Sequence, residues 1–276
     1  MKNAYVNGVF CNTSRAYLSI HNRSLLFGDG VYDAVIARKG HIFMPNEHIN
    51  RFFNSARNIG MESSMSESEI LAVLEQLAAF NAAECVFLYF QLSRTYHKRR
   101  HSANGCKVSF FATAAPIEPP NPEKHLHLIT AKDLRYSICH IKTVNLLPSV
   151  LAATEADAKG ADEAILVRNG TVTECAHSNI HIIKSGSIIT HPLNRYILPG
   201  ISRLHLIRTA ANQGIPFIER PFTLAELYNA DSVIITSTSR IAQTAAIIDN
   251  VQFDTDNPIA KALVSAMHQD FYKATV

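Results

Sequence analysis

The stretch Ser137-Ile-Cys-His-Ile-Lys142-Thr-Val-Asn-Leu-Leu-Pro-Ser-Val-Leu-Ala-Ala-Thr-Glu-Ala156 holds a single lysine inside a mostly apolar run that continues with the composition of a helix. Apolar surroundings disfavour an ammonium ion, so they lower the pKa of a lysine and make its amine a nucleophile. The alternative is a lysine whose stem lies along an apolar surface while its charged head reaches water. The residue type alone leaves both interpretations open, and the choice depends on the rest of the chain.

The composition excludes several classes of protein. The chain has 276 residues, 47% of them hydrophobic, which is enough for the cores of one large or two medium domains. A net charge of +3 with one basic cluster, Lys98-Arg99-Arg100, is not the footprint of a nucleic-acid-binding protein and favours a small anionic ligand. The five cysteines are scattered and form no Cys-x-x-Cys pair. We therefore expect neither a disulfide framework nor a metal site.

The beginning of the chain has no apolar segment of the kind that directs secretion, and no apolar run is long enough to span a bilayer. We expect a cytoplasmic protein with no membrane or nucleic-acid partner.

The order of the predicted elements indicates a mixed α/β chain of the α+β class in two parts. Predicted strands cover residues 4–10, 15–20, 32–38, 84–94, 107–114, 125–130, 163–167, 171–174, 180–184, 187–190 and 232–236, and predicted helices include 45–59, 148–159 and 259–272. The segment Pro116-Ile-Glu-Pro-Pro-Asn-Pro122 has four prolines, which is typical of a stiff exposed connector. We predict an N-terminal α/β domain over residues 1–116, a linker over 117–122 and a C-terminal domain over 123–276.

Three further features suit a phosphate group. Leu198-Pro-Gly-Ile-Ser202 precedes a predicted helix, whose first N–H groups favour an anion, although an ordinary Pro-Gly turn has the same pattern. Thr236-Ser-Thr-Ser239 follows an apolar strand, and its hydroxyls could bind phosphate or cap the next element. Arg51 could add charge to the same site or form a surface pair with Glu47.

A fourth feature is Glu174, which ends a strand after the predicted Asn169-Gly170 turn. A carboxylate at this place could keep a pyridine nitrogen protonated, or it could be a satisfied acid at a strand end. A lysine, a carboxylate and phosphate-binding groups together are what pyridoxal 5′-phosphate (PLP) requires. The joint interpretation accounts for all four features, which the separate interpretations do not.

Several blocks of the sequence carry a resemblance to a known family. The blocks are Phe27-Gly-Asp-Gly-Val-Tyr-Asp33, Asn46-Glu-His-Ile-Asn-Arg51, Ile141-Lys-Thr-Val-Asn-Leu-Leu147, Asp162-Glu-Ala-Ile-Leu166, Asn169-Gly-Thr-Val-Thr-Glu174, Ser178-Asn179, Ile197-Leu-Pro-Gly-Ile-Ser-Arg203 and Thr236-Ser-Thr238. In this order they resemble the class IV (fold type IV) PLP enzymes, which include D-amino acid transaminases, branched-chain aminotransferases and 4-amino-4-deoxychorismate lyases. The resemblance implies a two-domain fold with PLP in the cleft between the domains.

The resemblance also implies roles for single residues. Lys142 would form the Schiff base with PLP, Glu174 would face the pyridine nitrogen, and Leu198 would pack against the ring. The phosphate site would consist of Arg51, Ile201, Ser202 and Thr238.

For the substrate, the resemblance implies that Tyr32, Arg99 and His101 hold the carboxylate. The Arg-x-His pair is typical of the D-amino acid transaminases, in which this loop reaches the neighbouring subunit, so a homodimer is implied. The sequence departs from the family's pattern at Thr95, at Lys98 and in Cys175-Ala-His177. These departures leave the identity of the substrate open, including the contribution of Cys175.

The expected function is transamination between a D-amino acid similar to D-alanine and a 2-oxo acid by a ping-pong mechanism. A lyase that releases pyruvate from 4-amino-4-deoxychorismate is the alternative, because the same lysine could remove the Cα proton before an elimination. A branched-chain L-amino acid aminotransferase is a further alternative, and a non-catalytic family member a remote one.

Overall fold

The computed structural model describes residues 2–96 and 98–276, which form two compact units. The first unit comprises the described residues up to Pro119 together with Ile141–Asn145 and Lys273–Val276, and the second comprises Pro120–His140 and Leu146–Tyr272. The predicted C-terminal domain began at residue 123 and included Lys142, whereas the segment with Lys142 groups with the first unit. The boundaries of independently folding domains stay a prediction.

The described residues contain both helices and strands, as predicted. The α-helices are α1 Arg23–Phe27, α2 Pro45–Asn58, α3 Glu67–Ala79, α4 Leu147–Ala158, α5 Ile201–Asn212, α6 Leu224–Tyr228 and α7 Pro258–Ala274. The strands are β1 Ala4–Val6, β2 Val9–Cys11, β3 Gly30–Arg38, β4 His41–Ile42, β5 Cys85–Thr95, β6 Lys107–Ile117, β7 Leu126–Lys132, β8 Glu163–Arg168, β9 Thr171–Cys175, β10 Asn179–Lys184, β11 Ser187–Thr190, β12 Phe217–Glu219, β13 Phe222–Thr223, β14 Ser232–Ser237, β15 Ile241–Ile248 and β16 Val251–Gln252. None of the helices in this part of the chain is long and apolar enough to cross a membrane.

The first unit is built on a six-stranded antiparallel sheet in the order β2-β1-β6-β5-β3-β4. Strands β5 and β6 are rich in aromatic and β-branched residues and pair over their whole length, from Cys85 opposite Ile117 to Thr95 opposite Lys107. Strand β6 thus includes the first residue of the predicted linker. Strand β3 pairs with β5 and begins at Gly30, which brings the first residues of β3 close to the end of β5.

Helices α2 and α3 supply apolar side chains to the core of this unit. Helix α2 buries Ile49, Phe52 and Ala56 at helical spacing, and the Phe52 ring lies 4.7 Å from the Phe90 ring of β5. Helix α3 begins with a capping box of the Ser-x-x-Glu pattern, in which the Ser66 side chain and the Glu69 side chain each bond to the other residue's backbone N–H.

The second unit contains a ten-stranded mixed sheet in the order β12-β11-β10-β14-β15-β7-β8-β9-β13, with β16 paired to β15. Strands β7 and β8 are parallel, as are β11 and β12. Parallel neighbours need a crossover connection, and helices α4 and α5 provide it for these two pairs. The predicted hairpin of β8 and β9 is present, and its turn residues Asn169 and Gly170 have φ values of 51° and 77° as a type I′ turn requires.

Residues 4–10, predicted as one strand, form the hairpin of β1 and β2, and two further differences concern residues 15–20 and strand β15. Residues 15–20 are not a strand; a 3₁₀ helix covers Thr13–Arg15, because the side chain of Asn12 accepts a hydrogen bond from the Ser14 N–H at 2.9 Å and turns the chain. Strand β15 was not predicted, because its sequence contains three alanines and a glutamine. Its pairing with β14 on one side and β7 on the other makes it a central strand.

His181 is a fully buried histidine of strand β10. Its Nε2 atom lies 3.0 Å from the Thr236 hydroxyl oxygen. Burial, helped by the positive charge of Arg203, lowers the pKa of His181 from 6.5 to about 3. Between these two pKa values the unfolded chain binds a proton that the folded chain does not, so stability decreases as the pH falls below 6.5.

We predict that the substitution His181→Gln makes the free energy of unfolding less dependent on pH. Between pH 7.5 and pH 5.0 the variant should lose about 2 kcal/mol less than the unsubstituted protein, because about 1.5 pH units of the titration fall in that interval. Urea unfolding followed by circular dichroism at the two pH values measures this difference. His41→Gln, at an exposed histidine, is the control, and equal pH dependence in the two variants would contradict the prediction.

Candidate active site

The segment that carries Lys142 is hydrogen-bonded to the start of strand β3. The Tyr32 N–H donates to the Lys142 carbonyl at 3.0 Å, and the Val144 N–H donates to the Gly30 carbonyl at 3.1 Å. The Lys142 N–H itself donates to the Ser55 hydroxyl of helix α2 at 3.2 Å. Three backbone positions around the lysine are therefore held, and its side chain leaves from a fixed point of the first unit.

The amine of Lys142 lies against the side chain of Tyr32. Its Nζ atom donates to the Tyr32 hydroxyl at 3.3 Å and lies 4.4 Å from the centre of the Tyr32 ring. The structure thus brings together two of the predicted site residues. The phenol can hold the amine in place and exchange a hydrogen bond with it.

Tyr89 supports Tyr32 from the neighbouring strand β5. The two rings stack with their centres 5.3 Å apart, and the Tyr89 hydroxyl donates to the Gln91 side chain at 2.6 Å. Burial raises the pKa of Tyr89, so this residue stays a neutral phenol. Its part is to fix the plane of the Tyr32 ring.

A buried carboxylate, Asp33, follows Tyr32 in strand β3. Arg51 donates to it through Nε at 2.8 Å and through Nη2 at 2.7 Å, and the Nδ1 atom of His48 lies 2.9 Å from the same carboxylate. Burial alone would raise the pKa of Asp33, but the charge of Arg51 and the hydrogen bond with His48 outweigh it and hold the pKa well below its usual range. Burial lowers the pKa of His48, and a hydrogen bond to the ionised Asp33 requires that the Nδ1 atom carries the proton.

The sequence assigns Arg51 to a phosphate or to a solvated surface pair; the structure buries it on Asp33, a partner that the sequence did not predict, so the surface pair is wrong. The guanidinium is oriented by a two-point bond to Asp33, a geometry that leaves its direction fixed. The spacing of His48 and Arg51 on one face of helix α2 was a signal that could have found the cluster. The role of Arg51 at a phosphate stays a prediction.

The predicted substrate-binding pair, Arg99 and His101, lies on an exposed loop of the first unit. The Arg99 guanidinium is 4.8 Å from the centre of the Phe27 ring, and the His101 ring is 5.3 Å from the same ring. One aromatic side chain of helix α1 therefore contacts both members of the pair.

In the second unit, Glu174 is buried at the end of strand β9. One of its oxygens accepts hydrogen bonds from the Asn179 amide at 2.9 Å and from the Leu198 N–H at 3.0 Å. The Asn179 amide also donates to the Leu198 carbonyl at 3.1 Å. Glu174 and Leu198 were both predicted from the sequence. They share a direct hydrogen bond, and the Asn179 amide bonds to both of them.

Arg135 binds the other oxygen of Glu174 and was not predicted. Its guanidinium also bonds to Asp133 through Nε and Nη2, each at 3.0 Å. Burial would raise the pKa of Asp133, but its bonds to Arg135 outweigh burial and lower that pKa to about 2. The Asp133-x-Arg135 pair just before the Lys142 stretch was the available signal. Glu174 is consequently a carboxylate held in one orientation by a charged partner and an amide.

The N-terminus of helix α5 follows directly after Leu198 and Pro199. Its N-cap, Gly200, has no side chain to cap the first N–H groups of the helix, so an anion could take that place at Ile201 and Ser202. The Ser202 hydroxyl donates to the Ser237 carbonyl at 3.0 Å, which ties this helix end to the segment with Thr238.

Cys175, next to Glu174, belongs to the apolar core of the second unit. It is buried among side chains such as Ile165, Ile180 and Phe222. Burial raises the pKa of the Cys175 thiol well above its usual value, so the residue packs as a neutral side chain.

The residues present fit PLP. Lys142 supplies an amine, Glu174 supplies a buried carboxylate, and the helix end with Ile201 and Ser202, next to Thr238, supplies the N–H and hydroxyl groups that suit a phosphate. Among the described residues, no group of three or more His, Cys, Asp or Glu side chains could hold a metal ion.

The comparison with protein families decides the assignment of the chain. The family model of class IV amino-transferases matches residues 30–247. The chain belongs to the class IV aminotransferase family. It is a PLP-dependent aminotransferase, so the predicted family, enzyme class and cofactor are confirmed.

Curated relatives of this class IV aminotransferase carry the name D-alanine aminotransferase. The protein from Staphylococcus aureus (strain MSSA476) is 38% identical over 243 residues, which are 87% of this chain and 86% of that protein. The protein from Bacillus licheniformis is 34% identical over 274 residues, which are 98% of this chain and 97% of that protein.

Solved structures confirm the predicted fold class. The branched-chain aminotransferase from Thermoproteus uzoniensis with norvaline has a TM-score of 0.90 and 26% identity, covering 97% of this chain and 93% of that chain. The fold of the aminotransferase is therefore that of the fold type IV enzymes.

We predict that Gly200→Ala destabilises the enzyme through Asn179. A Cβ atom at residue 200 would lie 1.9 Å from the Asn179 side-chain oxygen, while the φ value of −66° suits alanine. The side chain of Asn179 must move, and its bond to Glu174 is lost, which should reduce the free energy of unfolding by about 2 kcal/mol.

A double-mutant cycle measured by urea unfolding checks this prediction. In an Asn179→Ala background the colliding oxygen is absent, so Gly200→Ala should cost less than about 0.5 kcal/mol. Equal costs in the two backgrounds would show that the contact with Asn179 is not the cause.

Proposed function

We propose that this enzyme transfers the amino group of a D-amino acid similar to D-alanine to a 2-oxo acid by a ping-pong mechanism. The observation that carries the proposal is that the first unit presents Lys142, with its amine on Tyr32, and an Arg99/His101 pair held on Phe27, which in a homodimer would serve the lysine of the partner subunit. An amine and a carboxylate-binding pair are what an amino acid substrate needs. The relatives named D-alanine aminotransferase support the D-handedness.

Lys142 would hold PLP through a Schiff base, and the amine released by the substrate would then move a proton from the substrate Cα. Bound PLP supplies the electron sink that makes this proton acidic. The Tyr32 hydroxyl donates or accepts a hydrogen bond at Nζ of Lys142. Tyr32 would therefore keep the lysine amine in one orientation while the amine takes up and returns the proton. A single lysine would serve as tether and as base.

Glu174 would face the ring nitrogen and keep it protonated. Because Arg135 and Asn179 hold the carboxylate, it need not reorient when charge develops, and that preorganisation favours the reaction. Leu198 would pack against the ring. Arg51, Ile201, Ser202 and Thr238 would bind the phosphate, with the helix end of α5 and the arginine supplying positive potential.

Arg99, His101 and Tyr32 would bind the substrate carboxylate. A guanidinium matches a carboxylate in geometry and charge, and the contact with Phe27 limits the positions of both loop side chains. Fixing the carboxylate decides which face of Cα is turned to Lys142, and this would select the handedness of the substrate.

A branched-chain L-amino acid is the second candidate substrate. The Thermoproteus uzoniensis branched-chain aminotransferase shares 26% of its residues with this chain over most of both lengths. The two candidates differ in the handedness of the amino acid that reacts, so one titration separates them.

We predict that D-alanine, without any 2-oxo acid, removes the visible absorbance of the bound cofactor and that L-alanine and L-valine do not. Adding 2-oxoglutarate should restore the absorbance, because the second half of a ping-pong reaction runs the first in reverse. In Lys142→Ala the rate should fall by about 10⁴-fold or more, since tether and base are both lost. Lys159→Ala, at an exposed lysine paired with Glu155, is the control.

Three outcomes would contradict the proposal. A response to L-valine alone would favour the branched-chain substrate. If the cofactor absorbance does not change with any of the three amino acids, and the enzyme releases pyruvate from 4-amino-4-deoxychorismate, the lyase would be favoured. A Lys142→Ala variant with unchanged turnover would exclude Lys142 as the base.

We propose in addition that the enzyme is a homodimer whose interface includes one face of helix α4. This helix buries the small residues Ala152 and Ala156 and exposes Leu147, Val150 and Leu151, each more than half accessible. A helix that hides alanines and exposes larger apolar side chains at spacings of three and four residues is suited to a partner surface. The implied partner is a second copy of the chain.

We predict that the double substitution Leu147→Glu/Leu151→Glu shifts the enzyme from dimer to monomer, because each buried glutamate would lack a counter-charge at the interface. Sedimentation equilibrium at micromolar concentration measures the mass. Val9→Glu, at an exposed apolar residue of the short strand β2, is the control and should remain dimeric. A double variant that stays dimeric would place the interface elsewhere.

A further inference from the structure

Helix α1 and the glycine that ends it form a short, strongly bonded platform in the first unit. Asn22 caps the helix with its side-chain oxygen, which accepts from the Ser24 N–H at 2.9 Å. Gly28 ends it with φ at 64°, in the left-handed region that favours glycine. The platform includes Arg23, a residue with only 3% of its surface exposed and no part in the proposed chemistry.

The guanidinium of Arg23 bonds directly to the backbone of the loop that carries the substrate-binding pair. Its Nη1 atom donates to the Arg100 carbonyl at 2.6 Å, and its Nη2 atom donates to the His101 carbonyl at 2.8 Å. The same guanidinium lies 4.6 Å from the centre of the Phe27 ring, the ring that also contacts Arg99. Two adjacent carbonyls of the loop are thus held by one planar group.

Asp29 orients Arg23. Its carboxylate accepts from Arg23 Nε at 2.6 Å and, through the other oxygen, from Arg94 Nη1 at 2.6 Å. Arg94 in turn donates to the Gly60 carbonyl at 2.8 Å, at the end of helix α2. Charge-assisted bonds of this kind hold the Arg23 fork in one direction.

The platform is also bonded to the segment with the reactive lysine. The Asn145 amide, three residues after Lys142, donates to the Gly28 carbonyl at 2.8 Å. A Cβ atom at residue 28 would come within 2.2 Å of that Asn145 side chain, so the contact depends on glycine. The platform that holds Arg23 is therefore fixed to the rest of the first unit, from which the carboxylate-binding loop extends.

The loop has little regular structure of its own to hold it. Residues 98–104 contain no helix or strand, and the side chains of Arg99 and His101 are exposed. Ordering such a segment costs conformational entropy unless bonds from the rest of the fold restrain it. Arg23 supplies two such bonds at adjacent carbonyls, one of which belongs to His101 itself.

We propose that Arg23, oriented by Asp29, is a positioning residue that sets the Arg99/His101 loop for binding the carboxylate of the substrate. This inference rests on the proposed function, because it assigns Arg23 to the use of that pair. The segment Gly28-Asp-Gly30 lacks the rest of a dinucleotide-binding pattern. The inference gives this segment a structural role in substrate recognition instead.

The test is the substitution Arg23→Gln, followed by kinetics with two amines. D-Alanine has a carboxylate, and ethylamine is the same molecule without it. For D-alanine KM should rise by about tenfold or more while kcat changes by less than about threefold, since misplacing a binding group by even an ångström is costly. The half-reaction rate with ethylamine and the absorbance of the bound cofactor should not change.

Further variants grade the effect. Arg23→Lys keeps the charge but not the planar fork, so it should give a smaller rise in the KM for D-alanine. Asp29→Asn loosens Arg23 without removing it and should shift the same parameter in the same direction; it replaces Arg23→Gln if that variant does not fold. Arg57→Gln, at an exposed arginine of helix α2 whose side chain donates to Asn54 at 2.5 Å, is the matched control.

The outcomes separate this inference from the proposed function. Equal losses with D-alanine and ethylamine in the Arg23 or Asp29 variants would mean that Arg23 is merely structural and would overturn the inference. An Arg99→Ala variant with raised KM for D-alanine, beside Arg23 variants with unchanged KM, would overturn it while leaving the proposed function intact. Unchanged KM in Arg99→Ala would refute the carboxylate site itself.

Discussion

The hydrogen bonds between the Lys142 segment and the start of strand β3 are the interaction on which the candidate site residues of the first unit depend. Tyr32 and Val144 donate to the carbonyls of Lys142 and Gly30, so the lysine leaves a backbone whose position is set by the sheet. Gly30 also allows β3 to lie close to β5, because a Cβ atom there would lie 2.8 Å from the Leu92 carbonyl. The amine of Lys142 meets the phenol of Tyr32 as a consequence of backbone pairing rather than of side-chain packing alone.

Each unit also contains a buried carboxylate with an arginine as partner. Asp33 is bound by Arg51, and Glu174 is bound by Arg135. Taking such charges out of water costs roughly several kcal/mol per ion, and the attraction between them does little more than offset that cost. These pairs are therefore better understood as devices that fix the direction of a charge than as sources of stability. A fixed direction is what a site needs if charge develops at a known atom during the reaction.

Two exposed features of the fold suit the proposed binding roles. Helix α4 presents Leu147 and Leu151 to solvent although its buried face contains only alanines. The Arg99/His101 loop is exposed as well, yet the buried Arg23 holds its backbone through hydrogen bonds to two carbonyls. In both places a well-held element carries side chains that the single chain leaves exposed. This is consistent with a second subunit that covers helix α4 and a substrate that binds the Arg99/His101 loop.

The sequence by itself determined the fold class, the family, the cofactor, the capped start of α3 and the turn at Asn169, because each follows from residues that are close together in the chain. A capping box and an Asn-Gly turn are local, and the family's blocks are recognised one by one. Only the tertiary structure decided that Arg135 binds Glu174, 39 residues away, and that Arg23 binds the Arg100 carbonyl, 77 residues away. No local pattern marks which distant carboxylate or carbonyl an arginine will meet, because that is fixed by the register of strands and the path of loops. For the same reason β15, with its alanines, became a central strand only through its neighbours β14 and β7.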